Sequence, residues 1–174
     1  MKNDEPENPD DSAPLGVSYV RIDESRIIKL RIPLSVPEKQ DETPTNPLLE
    51  LCDIEALSNL SKSKGLKLAI DNTFMSPYGQ SPISLGADVV MHSATKFIGG
   101  HSDLIAGVLI TNDISLAQKL YFIQKSGGAV LSPFDSWMLL RSTKTLALRF
   151  QQHSDNAMAI AKTLQGFSKV NSVV

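Results

Sequence analysis

One lysine, Lys96, stands behind two hydroxyls, Ser93 and Thr95, and one acid, Asp71, closes an apolar run upstream of them. These are the group types a protein needs to hold pyridoxal 5'-phosphate. A lysine amine condenses with an aldehyde. Hydroxyls donate to phosphate oxygens, and a carboxylate keeps a pyridine nitrogen protonated so that the ring draws electrons. A lysine by itself is most often a solvated surface charge. Lys96 has a different context: it follows an apolar strand and a Ser-x-Thr, and it precedes Gly99-Gly100, where backbone can approach a ligand closely. A desolvated amine there favours its neutral, nucleophilic form. Ser93 and Thr95 flank Ala94, so an extended segment would point both toward one phosphate. Asp71 read alone is a cap on the turn after a strand.

The elements that must position these groups follow an α/β pattern from Pro47 onward. Leu66 to Ile70 is an apolar strand ending at Asp71, Ala87 to Met91 a second strand, and Gly107 to Ile110 a third. Ile54, Leu57 and Leu60 space a short helix with Asp53 as N-cap. Asn112 or Asp113 caps a helix in which Leu116, Leu120 and Ile123 line one face, and Gly127-Gly128 ends it. Ser132-Pro133 starts a long helix, with Trp137, Leu140, Lys144 and Ala147, then Ala157, Ala161 and Leu164, at helical spacing. Strands alternating with helices imply a parallel sheet with helices on its faces. Ligands of such sheets bind beyond the carboxyl ends of strands, where this reading puts Asp71 and the Ser93 to Lys96 stretch.

Ahead of this region, residues 1 to 14 are rich in Asp, Glu, Asn and Pro and read as disordered. Residues 16 to 32 read as a β-hairpin, with Val20 and Ile22, then Ile28, Leu30 and Ile32, alternating around Asp23 to Arg26. Residues 33 to 47 form a proline-rich connector.

Other chemistries fit less well. Gly100 to Leu104 holds Ser, His and Asp, but Leu104 stands where a hydrolase elbow needs glycine. Asp103 then belongs to a hydrogen-bonding turn. His92, His101 and His153 lack metal-ligand spacing, and the lone Cys52 adds no ligand pair.

Four segments together resemble the trans-sulfuration enzymes of cysteine and methionine metabolism. They are Glu42-Thr-Pro-Thr-Asn-Pro47, Ile70-Asp-Asn-Thr-Phe-Met-Ser-Pro-Tyr78, Gly86-Ala-Asp-Val-Val-Met-His-Ser-Ala-Thr-Lys96 and Gly99-Gly-His-Ser-Asp103. The resemblance runs from Glu42 to Val174. It implies a partial three-layer α/β/α domain of the fold-type I pyridoxal-phosphate enzymes, aminotransferase-like, with a mostly parallel sheet. It makes Lys96 the amine that holds the cofactor and then takes the substrate α-proton, and Asp71 the partner of the ring nitrogen. Ser93 and Thr95 become phosphate ligands, and Asn46 lies near the cofactor or the substrate carboxylate. The sequence before Asn46 departs from the family, since Pro33 to Asp41 is a poor strand.

The implied substrate is a sulfur amino acid and the implied assembly a homo-oligomer. Tyr121 to Lys125 and Ser132 to Trp137 lean toward cystathionine β-lyases, which release homocysteine, pyruvate and ammonia from cystathionine. The alternatives are cystathionine γ-lyase or γ-synthase chemistry, and a truncated non-catalytic product that binds cofactor weakly or associates with a full-length relative. The family's early part supplies a glycine-containing phosphate turn and a ring-stacking tyrosine, and its C-terminal domain an arginine for the substrate carboxylate. Nothing in residues 1 to 41 resembles the former, and the chain stops before the latter. The expectation is therefore a non-family segment over 1–41 and a partial cofactor domain over 42–174, the middle of a longer enzyme. A truncated gene model, a splice variant and a decayed copy all fit.

Bulk properties agree with a soluble globular protein: 174 residues, 41% hydrophobic, 21% charged. A net charge of -2 argues against a nucleic-acid partner. No apolar run approaches the ~20 residues of a membrane span. One cysteine fits a reducing compartment, and the acidic start Met1 to Asp11 reads as neither a signal nor a basic transit peptide. The expected location is intracellular, cytoplasmic or plastid.

Overall fold

A computed structural model describes residues 42–173. The expected disordered start, the hairpin over 16–32 and most of the proline-rich connector lie outside the described residues. Three strands, β1 (Ala69–Asp71), β2 (Val89–Ser93) and β3 (Gly107–Ile110), form one sheet in that order. Five helices accompany it among the described residues: α1 (Ile54–Ser63), α2 (Ser76–Gly79), α3 (Ile114–Gly127), α4 (Pro133–Thr143) and α5 (Leu146–Gln165). No helix of the described residues is long and apolar enough to cross a membrane.

β1 and β2 are parallel, with Asp71 opposite Met91. A further parallel bridge joins Glu42 to Asp71. β3 departs from the parallel expectation and runs antiparallel to β2, with Ser93 opposite Gly107. The reason is the connection. A parallel crossover needs a long excursion, usually a helix, whereas residues 94–106 form only turns and loop, so the chain folds back beside the strand it has left.

Both leading strands sit slightly later than hydrophobicity suggests. The Asp88 carboxylate takes the Leu68 N–H at 2.9 Å, and Asp88 N and Val89 N both donate to Leu68 O. The entry to β1 is thus secured by a side chain, and ladder pairing starts at Ala69. Ala87 closes a turn by donating to Pro82 O, which delays β2 to Val89 and carries it through His92 to Ser93.

Two apolar clusters hold the fold. One joins Ile54 of α1 to Leu68, Ile70, Ala87 and Val90. The other joins Ala94, Ile98, Leu104 and Ala106 to Leu146 of α5, with Phe97, Met138 and Leu139 packed against it. The helix caps follow the sequence reading. Asp53 accepts from Ala56 N, Asp113 from Leu116 N and Ser132 from Asp135 N, and Gly128 ends α3 in the left-handed region at φ 71°. The long helix expected after Pro133 is instead two, α4 and α5, parted at Lys144 and Thr145. α4 buries none of its residues, so Trp137 and Leu140 are exposed.

Candidate functional site

The parallel register puts the ends of β1 and β2 at one edge of the sheet. Asp71 is the last residue of β1, and Ser93, two residues beyond its partner Met91, is the last of β2. Thr73 ties the two ends together. Its N–H donates to Asp71 Oδ1 at 2.9 Å, and its Oγ1 accepts from Ser93 N at 2.7 Å. Ser93 Oγ makes no hydrogen bond among the described residues, which leaves a half-buried donor at this edge.

Beyond Ser93 the strand ends and residues 94–99 coil into a tight turn. Lys96 N donates to Ser93 O at 3.1 Å, Gly99 N to Ala94 O at 2.7 Å and Gly100 N to Lys96 O at 2.7 Å. The same-side alternation expected of Ser93 and Thr95 therefore does not operate. Thr95 Oγ1 accepts from Ala106 N at 2.9 Å and donates to Ala106 O at 3.3 Å, fastening the turn to the start of the return strand. Lys96 is exposed, and among the described residues its Nζ has no carboxylate partner. The charge pairs of Lys67 with Asp88 and Asp113 lie elsewhere.

Asn46 sits on the neighbouring segment. Its N–H donates to Glu42 Oε2 at 3.1 Å, and its side chain is exposed. That segment is held beside β1 by an amide pair, buried Asn72 and half-buried Gln80. Gln80 Nε2 donates to Thr43 O at 3.1 Å and to Asn72 Oδ1 at 2.8 Å, while Asn72 Nδ2 donates to Gln80 O and Ser76 O. The structure thus brings Asp71 and Ser93 to one edge with Lys96 on the turn that follows. Asn46 is linked to them through main chain, with no side-chain bond to the other three among the described residues.

Sequence reasoning missed three groups: Thr73, the Asn72–Gln80 pair and Arg149. From α5, Arg149 donates to Phe97 O and Ile98 O, directly after Lys96. Phe97 packs edge-on against Phe74, Phe150 and His153, at centroid distances of 6.1, 5.7 and 5.6 Å. The available signal was spacing: Leu146, Arg149, Phe150 and His153 share one helix face. His92 is buried on β2, and its Nδ1 has no hydrogen-bond partner among the described residues. Burial pushes its pKa down, against the pull of the Asp71 charge and a hydrogen bond with the Asn72 main chain. The turn expected around Asp103 is made by His101, whose Nδ1 lies 2.7 Å from Gly99 O.

An amine, a hydroxyl and a carboxylate at one sheet edge, each with unused bonding capacity, match an aldehyde, a phosphate and a ring nitrogen. A match to the model of the Cys/Met metabolism PLP-dependent enzymes spans residues 16–174. The chain belongs to this family. The match begins ahead of Glu42, where the recognisable motifs start. Cystathionine gamma-lyase of Dictyostelium discoideum is 54% identical over 133 residues, and cystathionine gamma-synthase of Mycobacterium leprae 51% over 133, each covering 76% of this chain. Cystathionine beta-lyase of Lactococcus lactis subsp. cremoris is 46% identical over 160 residues, 91% of the chain. The crystal structure of cystathionine gamma-lyase from Lactobacillus plantarum, complexed with L-serine, superposes with a TM-score of 0.74 at 46% identity over 75% of the chain. The chain spans 34% to 42% of the length of these relatives. The observed sheet and helices are accordingly a part of the fold-type I α/β/α domain, and the family is one of pyridoxal-phosphate-dependent enzymes.

Proposed function

We propose that this chain carries the cofactor-anchoring and proton-transfer part of a carbon–sulfur lyase that converts cystathionine and water to homocysteine, pyruvate and ammonia. The observation that carries the reading is the convergence of Asp71 and Ser93 at the carboxyl edge of β1 and β2, with Lys96 on the next turn. Bound pyridoxal phosphate supplies an electron-withdrawing ring that accepts the charge left when the substrate loses its α-proton. Lys96 Nζ would hold the cofactor through its aldehyde and, with the substrate bound, would take the substrate α-proton and pass a proton to the departing sulfur. The Asp71 carboxylate keeps the ring nitrogen protonated, and its orientation is secured by the Thr73 N–H. Ser93 Oγ donates to the phosphate. Thr95 joins it only by giving up its 3.3 Å bond to Ala106 O, so Ser93 is the main donor of the pair. Asn46 is read as the contact on the substrate side.

Lys96 and Asp71 serve every reaction of the family and do not choose the bond that breaks. The β-elimination reading rests on the resemblance of Tyr121 to Trp137 to β-lyases. The γ-elimination or γ-replacement reading is supported by the 51% and 54% identities to a γ-synthase and a γ-lyase. Homo-oligomeric association fits the uncovered apolar residues of α4 and α5. The test is reduction of the chain with borohydride in the presence of pyridoxal phosphate, then incubation of the unreduced mixture with cystathionine. A label at Lys96 with pyruvate and homocysteine as products is expected. 2-Oxobutyrate and cysteine would replace the β-lyase reading with γ-elimination. A labelled Lys96 with neither product would leave a cofactor binder without turnover.

A further inference from the structure

The two carbonyls directly after Lys96 are both held by one side chain, more than fifty positions away along the chain. Arg149 Nη1 donates to Phe97 O at 2.6 Å and Nη2 to Ile98 O at 3.3 Å. The other edge of the guanidinium is anchored as well, Nη2 to Ser142 O and Nε to Thr145 Oγ1, both at 3.0 Å. Every acceptor is neutral. Arg149 forms no ion pair among the described residues, and burial lowers its pKa without removing its charge. An arginine used this way is a rigid five-donor fork, and a main-chain carbonyl left without a donor in a partly buried turn is costly. The internal bonds of the turn use Ser93 O, Ala94 O and Lys96 O, so Phe97 O and Ile98 O depend on Arg149. Gly100 makes room for the fork. It lies at φ +75°, and a Cβ there would collide with the guanidinium. The Phe97 ring is gripped from the same helix by Phe150 and His153. Lys96 itself has no side-chain restraint among the described residues, so its direction is inherited from this turn.

We propose that Arg149 is the positioning residue for Lys96: its guanidinium, acting through Phe97 O and Ile98 O, sets the turn from which the amine reacts with an aldehyde. The proposal rests on the reading of Lys96 as the cofactor-anchoring amine.

The variants are Arg149→Lys, which keeps the charge and loses the fork, and the milder Thr145→Val, which removes the acceptor for Nε together with the Oγ1 bond to Ser142 O. Arg141→Lys is the control, since Arg141 lies over the Trp137 ring on exposed α4. Two readouts are taken. The first is amide hydrogen exchange of the cofactor-free chain. The second is the share of borohydride-trapped pyridoxal phosphate carried by Lys96 relative to all other lysines, measured across pH. In Arg149→Lys, exchange over residues 97–101 is expected to rise about tenfold with β2 unchanged. The Lys96 share is expected to fall about tenfold as label spreads to other lysines, and its pH midpoint to move. Thr145→Val is expected to fall between, and Arg141→Lys to match the unchanged chain. A looser turn with the Lys96 share and midpoint intact would make Arg149 a strut only and overturn the proposal, as would unchanged exchange. If the unchanged chain traps no cofactor at Lys96, it is the cofactor reading that fails, and the positioning role falls with it.

Discussion

Thr73 joins Asp71 to Ser93, so one small side chain sets the spacing between the carboxylate and the hydroxyl. Asp71 spends Oδ1 on the Thr73 N–H and keeps Oδ2 for another donor. Asp71→Asn keeps that geometry and loses the charge that holds a ring nitrogen protonated. Elimination is expected to fall on the order of a hundredfold more than cofactor trapping at Lys96, by comparison with the loss of a single preorganised electrostatic partner in other enzymes. Parallel measurement of products and trapped label checks this, and equal losses would point to a fold defect. Gly100→Ala tests the neighbouring turn. A left-handed φ costs a non-glycine residue about 1–2 kcal/mol, and the added Cβ also displaces Arg149. A loss of about 2 kcal/mol in a denaturant melt is expected, and no loss would show that the guanidinium moves aside freely. The places of Asp71 and Ser93 at strand ends, and of Lys96 just beyond, were legible because short motifs mark those ends. Arg149 was not, because its partners Phe97 and Ile98 lie far away in sequence and a lone arginine on a helix reads as surface charge.

β2 brings a titrating group into the interior beside this edge. His92 is buried, and its depressed pKa means that the folded chain binds a proton less readily than the unfolded chain. Its contribution to stability is therefore full above the unfolded pKa of about 6.5 and is lost as pH falls through that value toward the lower folded one. A melt is expected to be lower at pH 5.5 than at pH 7.5, and His92→Gln to flatten that difference whatever its own stability. An unflattened curve would move the effect to other groups. Asp113 titrates in a separate window. Its carboxyl is held low by the Leu116 N–H, so its contribution is lost only below the ordinary carboxylate range. At this scale the caps at Asp53, Asp113 and Ser132 were legible, since their chemistry is local. Strand onsets were not, because the Asp88 carboxylate and the Pro82 carbonyl replace ladder bonds that a hydrophobic run alone would assign. The α4–α5 break was hidden as well. Lys144 and Thr145 keep helical spacing in the sequence, yet the main chain turns there, and Thr145 Oγ1 donates to Ser142 O and accepts from Arg149.

At the scale of the whole molecule, the striped helices lack cover among the described residues. Leu116 is the only buried residue of α3 and Leu146 the only one of α5, while α4 has none. Phe122, Phe134, Trp137, Leu140 and Leu148 are each more than half exposed, and among the described residues β3 has no strand beyond it in the sheet. Apolar area left in water forgoes roughly 25 cal/mol per Å2 of stabilisation. Contiguous apolar surface and an open strand edge also favour pairing with another chain. The amphipathic stripes were legible in the sequence; their lack of cover was not, because periodicity reports which face is apolar and says nothing of what meets it. The chain by itself is expected to be marginally stable and to associate. Sedimentation velocity across a hundredfold range of concentration should show its mass rising, and the melt should be broad. Replacing Trp137 and Leu140 with Gln should reduce association without lowering stability, since neither side chain is buried within the chain. A monodisperse monomer with a sharp cooperative melt would contradict the argument. So would a large loss of stability in the Trp137→Gln, Leu140→Gln variant, because it would show that these side chains are packed within a single chain.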